Sequence, residues 1–199
     1  MAPGPGSNRS SYRRWEKKGR ASQAGNMGSM GSPSSRRGTP LLSFRFATNL
    51  DSTRVSQLVF QVLLEYGLQP DPHGTDLDLN DLEGNYFRQG GCFLVMESDQ
   101  KEITGCGGIF PLAEGVCELR KMYLKKAMRG QGLGKALLSE LLQKAKDAGF
   151  RRVELETASV LKEAAGLYHS FGFQPFGKQH LAPRCTRALF LNLEAWKPG

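Results

Sequence analysis

The chain has 199 residues and a formal net charge of +8, and 39% of its residues are hydrophobic. That length makes one domain the natural expectation. No apolar run approaches the ~20 residues that cross a bilayer, and no apolar stretch behind a basic start marks a secretory signal. Residues 1–40 carry eight basic residues (Arg9, Arg13, Arg14, Lys17, Lys18, Arg20, Arg36 and Arg37) against one acid, Glu16. They are otherwise Gly, Ser and Pro with few large apolar side chains, a composition that cannot offset the entropy of ordering. The expectation is a disordered basic tail over 1–40 and one folded, nearly neutral domain over 41–199. The tail reads as a solvated appendage, as an organellar targeting segment or as a phosphate-contacting arm. Tyr12 and Trp15 are the aromatics interleaved with its charges.

Leu41 to Ala47 reads as a first strand. Asp51 opens a helical pattern through Val55, Leu58, Val59, Val62 and Leu63 that ends near Gly67. A loop over Pro70 to Gly74 leads to a second predicted helix, where Thr75-x-x-Asp78 resembles a helix start and Leu79, Leu82 and Tyr86 share a side. Strands follow at Cys92 to Glu97, Glu102 to Phe110 and Val116 to Leu124. A third helix has Leu133, Leu137, Leu138, Leu141 and Ala145 at spacings of three and four, and Gly149 caps it. Val153 to Thr157 is a strand and Lys162 to Phe171 a helix stopped by Gly172. Short strands at Phe173 to Phe176 and Ala188 to Leu193 close the chain. This order predicts a mixed α/β (α+β) domain with one sheet between helices. Cys92, Cys106, Cys117 and Cys185 lack Cys-x-x-Cys spacing, so reduced cysteines, no disulfide and no metal are expected. His73 and His180 fall in loops and His169 on a solvent-facing helix side, which builds no catalytic triad.

The most informative stretch is Arg129-Gly130-Gln131-Gly132-Leu133-Gly134, between an alternating strand and an amphipathic helix. Glycines there let backbone N–H groups close on an anion at the positive end of the helix. A dinucleotide fingerprint belongs in a first βαβ unit, and this motif lies past mid-chain. A Walker loop needs Gly-Lys-Ser/Thr, and Gly134-Lys135-Ala136 lacks the hydroxyl.

With its flanks, Arg129-x-x-Gly132-x-Gly134 resembles the acetyl-CoA signature of the GCN5-related N-acetyltransferase (GNAT) family. Glu118 to Leu124 resembles the strand before that signature, and Ala164 to Phe173 the later helix beside the thiol end of the cofactor. The three motifs stand in the family's order, and the resemblance runs from about Leu41 to Glu194. It implies a GNAT-like fold with one mostly antiparallel sheet flanked by helices. It also implies transfer of acetyl from acetyl-CoA to an amine by direct attack, with no acyl-enzyme.

The backbone of Arg129, Gly130, Gln131, Gly132, Leu133, Gly134 and Lys135 forms the expected pyrophosphate cradle, with Lys125, Lys126, Arg129 and Lys135 adding charge. By resemblance, this strand splays from its neighbour, backbone groups of Met122 and Leu124 pair with the cofactor, and Leu124 N–H meets the thioester carbonyl. Tyr168 is by resemblance the acid that protonates the departing thiolate. The residues themselves offer three carboxylates as base, because acids on the face of a central strand are unusual. Glu118, taken to share a face with Arg120, Met122 and Leu124, comes first, Glu156 second, and Glu154 is the third. Ion pairing with Arg120, Arg151 or Arg152 is the structural alternative.

One departure stands out: Leu161 occupies the place of a helix-opening Asn that contacts the cofactor. It supports the alternative of a catalytically weak, acetyl-CoA-binding regulatory module. The substrate lip is expected from Gly67 to Arg88, which is acidic, and from Lys178 to Arg187, where Arg184 and Arg187 suit a carboxylate. The expected acceptor is an amine-bearing small molecule or peptide. Neither nucleic acid nor membrane is expected as a partner, and the protein is expected as a cytoplasmic monomer or homodimer.

Overall fold

The computed structural model describes residues 42–197, so the tail over 1–40 lies outside the described residues. Seven strands form one sheet in the order β1-β2-β3-β4-β5-β7-β6. They are β1 (Leu42–Phe46), β2 (Cys92–Ser98), β3 (Ile103–Ala113), β4 (Val116–Leu124), β5 (Arg152–Thr157), β6 (Gln174–Phe176) and β7 (Arg187–Asn192). Every pairing is antiparallel except β4 with β5. Three α-helices accompany them: α1 (Ser52–Glu65), α2 (Leu133–Asp147) and α3 (Lys162–Ser170). Among the described residues no helix is long and apolar enough to cross a membrane.

The helices form where their apolar spacing predicts. α1 buries Val55, Leu58, Val59, Val62 and Leu63, and α2 buries Leu137, Leu138, Leu141, Leu142 and Ala145. Each large side chain contributes roughly 1.5–3 kcal/mol by leaving water. The chain enters α1 through Asp51, whose carboxylate accepts the Thr48 N–H at 2.9 Å and pairs with Arg45 and Arg54. α2 ends at Gly149, whose φ of +91° suits a residue without Cβ. Glycines in β3 let both layers approach the sheet. A Cβ on Gly107 would stand 2.6 Å from Leu141 Cδ1, and one on Gly108 would stand 2.4 Å from Tyr86 Cε1.

The predicted helix over Thr75 to Tyr86 is instead a 3₁₀ turn at Leu77–Asn80 followed by a π turn at Glu83–Phe87. Side chains here compete for the backbone. Asp71 accepts Thr75 N–H at 2.8 Å, Asp81 accepts Gly84 N–H at 2.8 Å, and Asn49 and Glu83 exchange bonds through their N–H groups. The apolar periodicity survives because Leu79, Leu82 and Tyr86 are fully buried, and Tyr86 meets Phe93 edge-on at 4.9 Å.

β4 departs from the assumed parity. Cys106 faces Tyr123 and Gly108 faces Arg120, so Lys121 and Met122 together oppose Gly107. This bulge holds Lys121 at φ +53°, a conformation that costs a side chain roughly 1–2 kcal/mol. Glu118 and Arg120 therefore do not share a face with Met122 and Leu124. Met122 lies by Gly107 on the Leu141 side, and Leu124 meets the Gly134 side. The bulge turns Lys121 toward Asp76 instead.

Candidate active site

β4 and β5 pair only at Val116↔Arg152, Cys117↔Val153 and Glu118↔Glu154. Beyond that point the strands diverge, β4 running on to Leu124 and β5 to Thr157. The gap opens onto a cavity of about 970 Å³, within the size range of ligand sites. One end of the cavity meets the start of α2, one wall is α3, and the other end lies under the segment over 74–78 and the loop between β6 and β7.

The α2 end is built from backbone. Gly130 and Gly132 have φ of +75° and +80°, and nothing lies within 4 Å of a Cβ built on either. Glycine is required here by conformation, and an added side chain would project from the turn into open space. At Gly134 the reason differs: a Cβ would meet Leu124 Cδ1 and Leu167 Cδ2, both at 3.4 Å. Gly132 is the N-cap, and its carbonyl accepts Ala136 N–H at 3.1 Å. The N–H groups of Leu133, Gly134 and Lys135 therefore precede the first helical bond. That is the chemistry of an anion cradle.

Lys135 lines the cavity and makes no ion pair among the described residues. Of the other cations expected at this end, Lys126 is exposed and makes no ion pair among the described residues, and Lys125 and Arg129 are engaged. Lys125 pairs with Glu102. Arg129 donates to the Leu124 carbonyl at 2.9 and 3.1 Å and to Glu65 at 2.7 Å, so it braces the strand end. The Gln131 side chain turns back onto the Ala127 carbonyl at 2.7 Å.

The open edge of β4 faces the gap. Lys125 N–H bonds the Thr104 carbonyl across β3 at 2.9 Å, so the polar groups of Leu124 point the other way, where Arg129 takes the carbonyl. The Leu124 N–H is thus directed into the gap, and Met122, two residues earlier, shares that side. At the end of β5, Thr157 Oγ1 is buried, lines the cavity and has no hydrogen-bond partner among the described residues. A buried hydroxyl of this kind fits a polar ligand in the gap.

Tyr168 and Leu161 both line the cavity. Tyr168 rests against Phe173 with ring centroids 5.6 Å apart, and burial pushes its hydroxyl well above the ordinary phenol range. It therefore keeps its proton across neutral pH. Leu161 is the N-cap of α3 and supplies no side-chain cap. Tyr66, at the end of α1, reaches across to Glu163 of α3 at 3.2 Å and receives Arg129 at 3.3 Å.

The far end is built from charged side chains. Glu118 is buried, with Oε2 accepting Arg120 Nε at 2.5 Å and Oε1 lying 3.8 Å from Lys178 Nζ. Glu156 is more fully engaged: it accepts Lys178 Nζ at 2.5 Å and Ala182 N–H at 2.7 Å. Glu154 pairs with Arg152 at 2.8 Å. All three carboxylates thus carry cations, Glu154 is not part of the cavity lining, and of the two that line the cavity Glu118 Oε1 is the most lightly held oxygen.

Asp76, whose side chain is 0% exposed, binds Lys121 at 2.5 Å and Arg184. Burial would raise its carboxyl pKa, and the bonds from Arg184 and Lys121 outweigh that and hold it low. Arg184 lines the cavity, and the cavity lining does not include Arg187. Lys121, Tyr123 and Cys185 also line this end. Sequence reasoning passed over them because no local pattern marks a bulge or a pair 108 residues apart such as Arg184 and Asp76. The four cysteines are free.

The sequence pattern of the Acetyltransferase (GNAT) family matches residues 57–173. The uncharacterized N-acetyltransferase YjgM of Escherichia coli is 39% identical over 135 residues, covering 65% of this chain and 80% of the relative. Human N-acetyltransferase 8B is 36% identical over 107 residues, covering 51% of this chain and 47% of its own length. An acetyltransferase of the GNAT family from Staphylococcus aureus superposes with a TM-score of 0.73 at 21% identity, covering 77% of this chain and 99% of that one. The yncA acetyltransferase of Salmonella typhimurium, solved with acetyl-CoA, gives 0.60 at 20% identity, covering 77% and 94%. At such identities the two structures speak for the fold. The matched segment runs from within α1 to just past α3 and includes the strand gap and the glycine turn, and the chain belongs to the GNAT family of N-acetyltransferases.

Proposed function

We propose that this chain binds acetyl-CoA in the β4–β5 gap and transfers its acetyl group directly to a primary amine of a small molecule or peptide. The observation that carries this is the continuity of the cavity: anion-binding amides of α2, the open edge of β4, the Tyr168 hydroxyl and the Glu118 carboxylate all border one space. The cofactor seen in the Salmonella structure supports it. The amides of Leu133, Gly134 and Lys135 hold the pyrophosphate, with Lys135 adding charge. The Leu124 N–H stabilises the oxygen on which negative charge develops, a contribution of roughly 3–4 kcal/mol in comparable sites. Bound acetyl-CoA supplies the acyl group.

An alkylamine with pKa ~10.4 arrives protonated, and Glu118 Oε1 takes that proton. Glu156, held by two donors, fixes the loop that roofs the acceptor. Tyr168 gives a proton to the thiolate; its raised pKa keeps that proton in place until the sulfur leaves. The charges of Arg184, Lys121 and Asp76 at the acceptor end suit a small polar amine.

The test is thiol release from acetyl-CoA by purified protein against a panel of polyamines, amino acids and short peptides. One acceptor class is expected to turn over well above hydrolysis, with Glu118→Gln reducing kcat about a hundredfold or more. Wild-type turnover in Glu118→Gln contradicts the assignment of the base.

A further inference from the structure

The mechanism above gives Lys178 no chemical step, yet its amine lies beside the carboxylate which that mechanism assigns as base. It sits on the loop between β6 and β7, and its side chain reaches back into the cavity. Nζ lies 2.5 Å from Glu156 Oε1 and 3.8 Å from Glu118 Oε1. These carboxylates lie at the end of the paired stretch of β4 and β5, where the gap begins. The ammonium thus bridges the two strands and touches the carboxylate assigned as base.

A pairing for stability alone has no need to draw a flexible cation into a ligand cavity. Two cavity-lining lysines are drawn onto carboxylates: Lys121 is held by Asp76 and Asp78 with its side chain 8% exposed, whereas Lys178 is the one that reaches Glu118 and Glu156. The loop is anchored at the same point, since Glu156 also takes the Ala182 N–H at 2.7 Å. The side chain is therefore delivered to the carboxylates by a backbone tie.

Resting on the function proposed above, we propose that Lys178 is an acceptor within its own chain, acetylated at Nζ in cis. Glu118 removes one proton from the Lys178 ammonium. The freed lone pair attacks the thioester carbonyl carbon, the C–N bond forms and the C–S bond breaks. The departing thiolate takes the Tyr168 proton, and the second proton lost from nitrogen restores Tyr168. One thioester becomes one amide and one thiol, with one proton released. The product amide has no charge, so it gives up both ion pairs and leaves Glu118 and Glu156 to an incoming amine.

The test uses the full chain. The protein is incubated with acetyl-CoA alone across a dilution series, and site occupancy is read by peptide mass spectrometry. The expected result is one acetyl group at Lys178, gained at a first-order rate independent of protein concentration and ahead of Lys126. Lys178→Arg removes it, and Glu118→Gln slows it about a hundredfold or more. A second readout needs no cofactor. An N-hydroxysuccinimide acetate reagent is expected to label Lys178 more slowly than Lys126, and equal labelling overturns the ion-paired placement of its amine. Protein that turns over added amines while Lys178 stays unmodified overturns this proposal alone. A rate that rises with protein concentration overturns the cis pathway. Absence of acetyl-CoA binding by calorimetry overturns both this proposal and the function on which it rests.

Discussion

The two ends of the cavity are made from different materials. At the α2 end the functional groups are backbone amides, set by three glycines, a helix start and an open strand edge. At the acceptor end they are side chains, with Glu118, Glu156, Asp76, Lys121, Lys178 and Arg184 locked in ion pairs that cross four elements of the fold. A backbone site presents the same amides whatever side chains surround it, so it suits a ligand common to many reactions. A side-chain site is redrawn by single substitutions, so it suits a partner that varies. Changes at the first end should alter cofactor affinity, and changes at the second should alter turnover, acceptor choice or folding.

The largest effect is expected at the junction of the two ends. Tyr168→Phe removes the hydroxyl proposed as the acid while keeping the ring against Phe173. Steady-state kinetics should show kcat reduced by about 10²–10⁴ with acetyl-CoA affinity unchanged; full turnover retires Tyr168 as the acid.

Asp76→Ala comes next and acts on the acceptor end through stability. It takes from Lys121, whose side chain is 8% exposed, the nearer of its two carboxylates and leaves Asp78 at 3.4 Å, and removing one partner of a buried pair costs up to about 3–5 kcal/mol. At roughly 2–4 °C per kcal/mol for a chain of this size, calorimetry should record a melting point as much as ~6–20 °C lower. The effect has a pH signature. Asp76 is held below its ordinary pKa of 3.8, so its contribution is complete above that value and is lost as the pH falls through the depressed one. The gap between wild type and variant should therefore narrow in acid, and a gap that widens there contradicts the assigned pairing.

Gly132→Val sharpens the contrast from the other side. Its φ of +80° costs a side chain roughly 1–2 kcal/mol, a fall in melting point of ~2–8 °C. The added bulk faces open space and no protein atom. Acetyl-CoA affinity measured by calorimetry should fall about tenfold or more beyond what that destabilisation explains. Equal losses of stability and affinity argue that the turn is structural. Lys135→Ala should have the smallest effect, a few-fold weaker affinity that shrinks as salt is raised.

The same division governs what the sequence discloses. The glycine turn at the start of α2 was legible because Gly130, Gly132 and Gly134 are local signals, fixed by the backbone between one strand and one helix. Periodicity located α1, α2, α3 and all seven strands, because burial imposes its spacing within each element. The helix expected over Thr75 to Tyr86 was not borne out: Asp71, Asp81, Asn49 and Glu83 bind backbone groups that a helix would need. The bulge at Lys121 was missed for a related reason, since one extra residue reverses parity without changing composition. A hint was present in Gly105-Cys106-Gly107-Gly108, because glycines inside a strand mark close approach or a bulge. At the acceptor end the short-range pairs of Glu118 with Arg120 and Glu154 with Arg152 were legible, whereas the bonds of Lys178 and Arg184 were invisible because they join residues 22 to 108 positions apart, and no local pattern encodes such a distance.

The central claim is that backbone amides at the start of α2 grasp the diphosphate of coenzyme A. Titration calorimetry of the folded protein with acetyl-CoA tests it directly. The account predicts saturable binding at one site per chain, with a rise in melting point of several degrees once ligand exceeds Kd about a hundredfold. No heat and no rise in melting point, on protein that unfolds cooperatively, would contradict it.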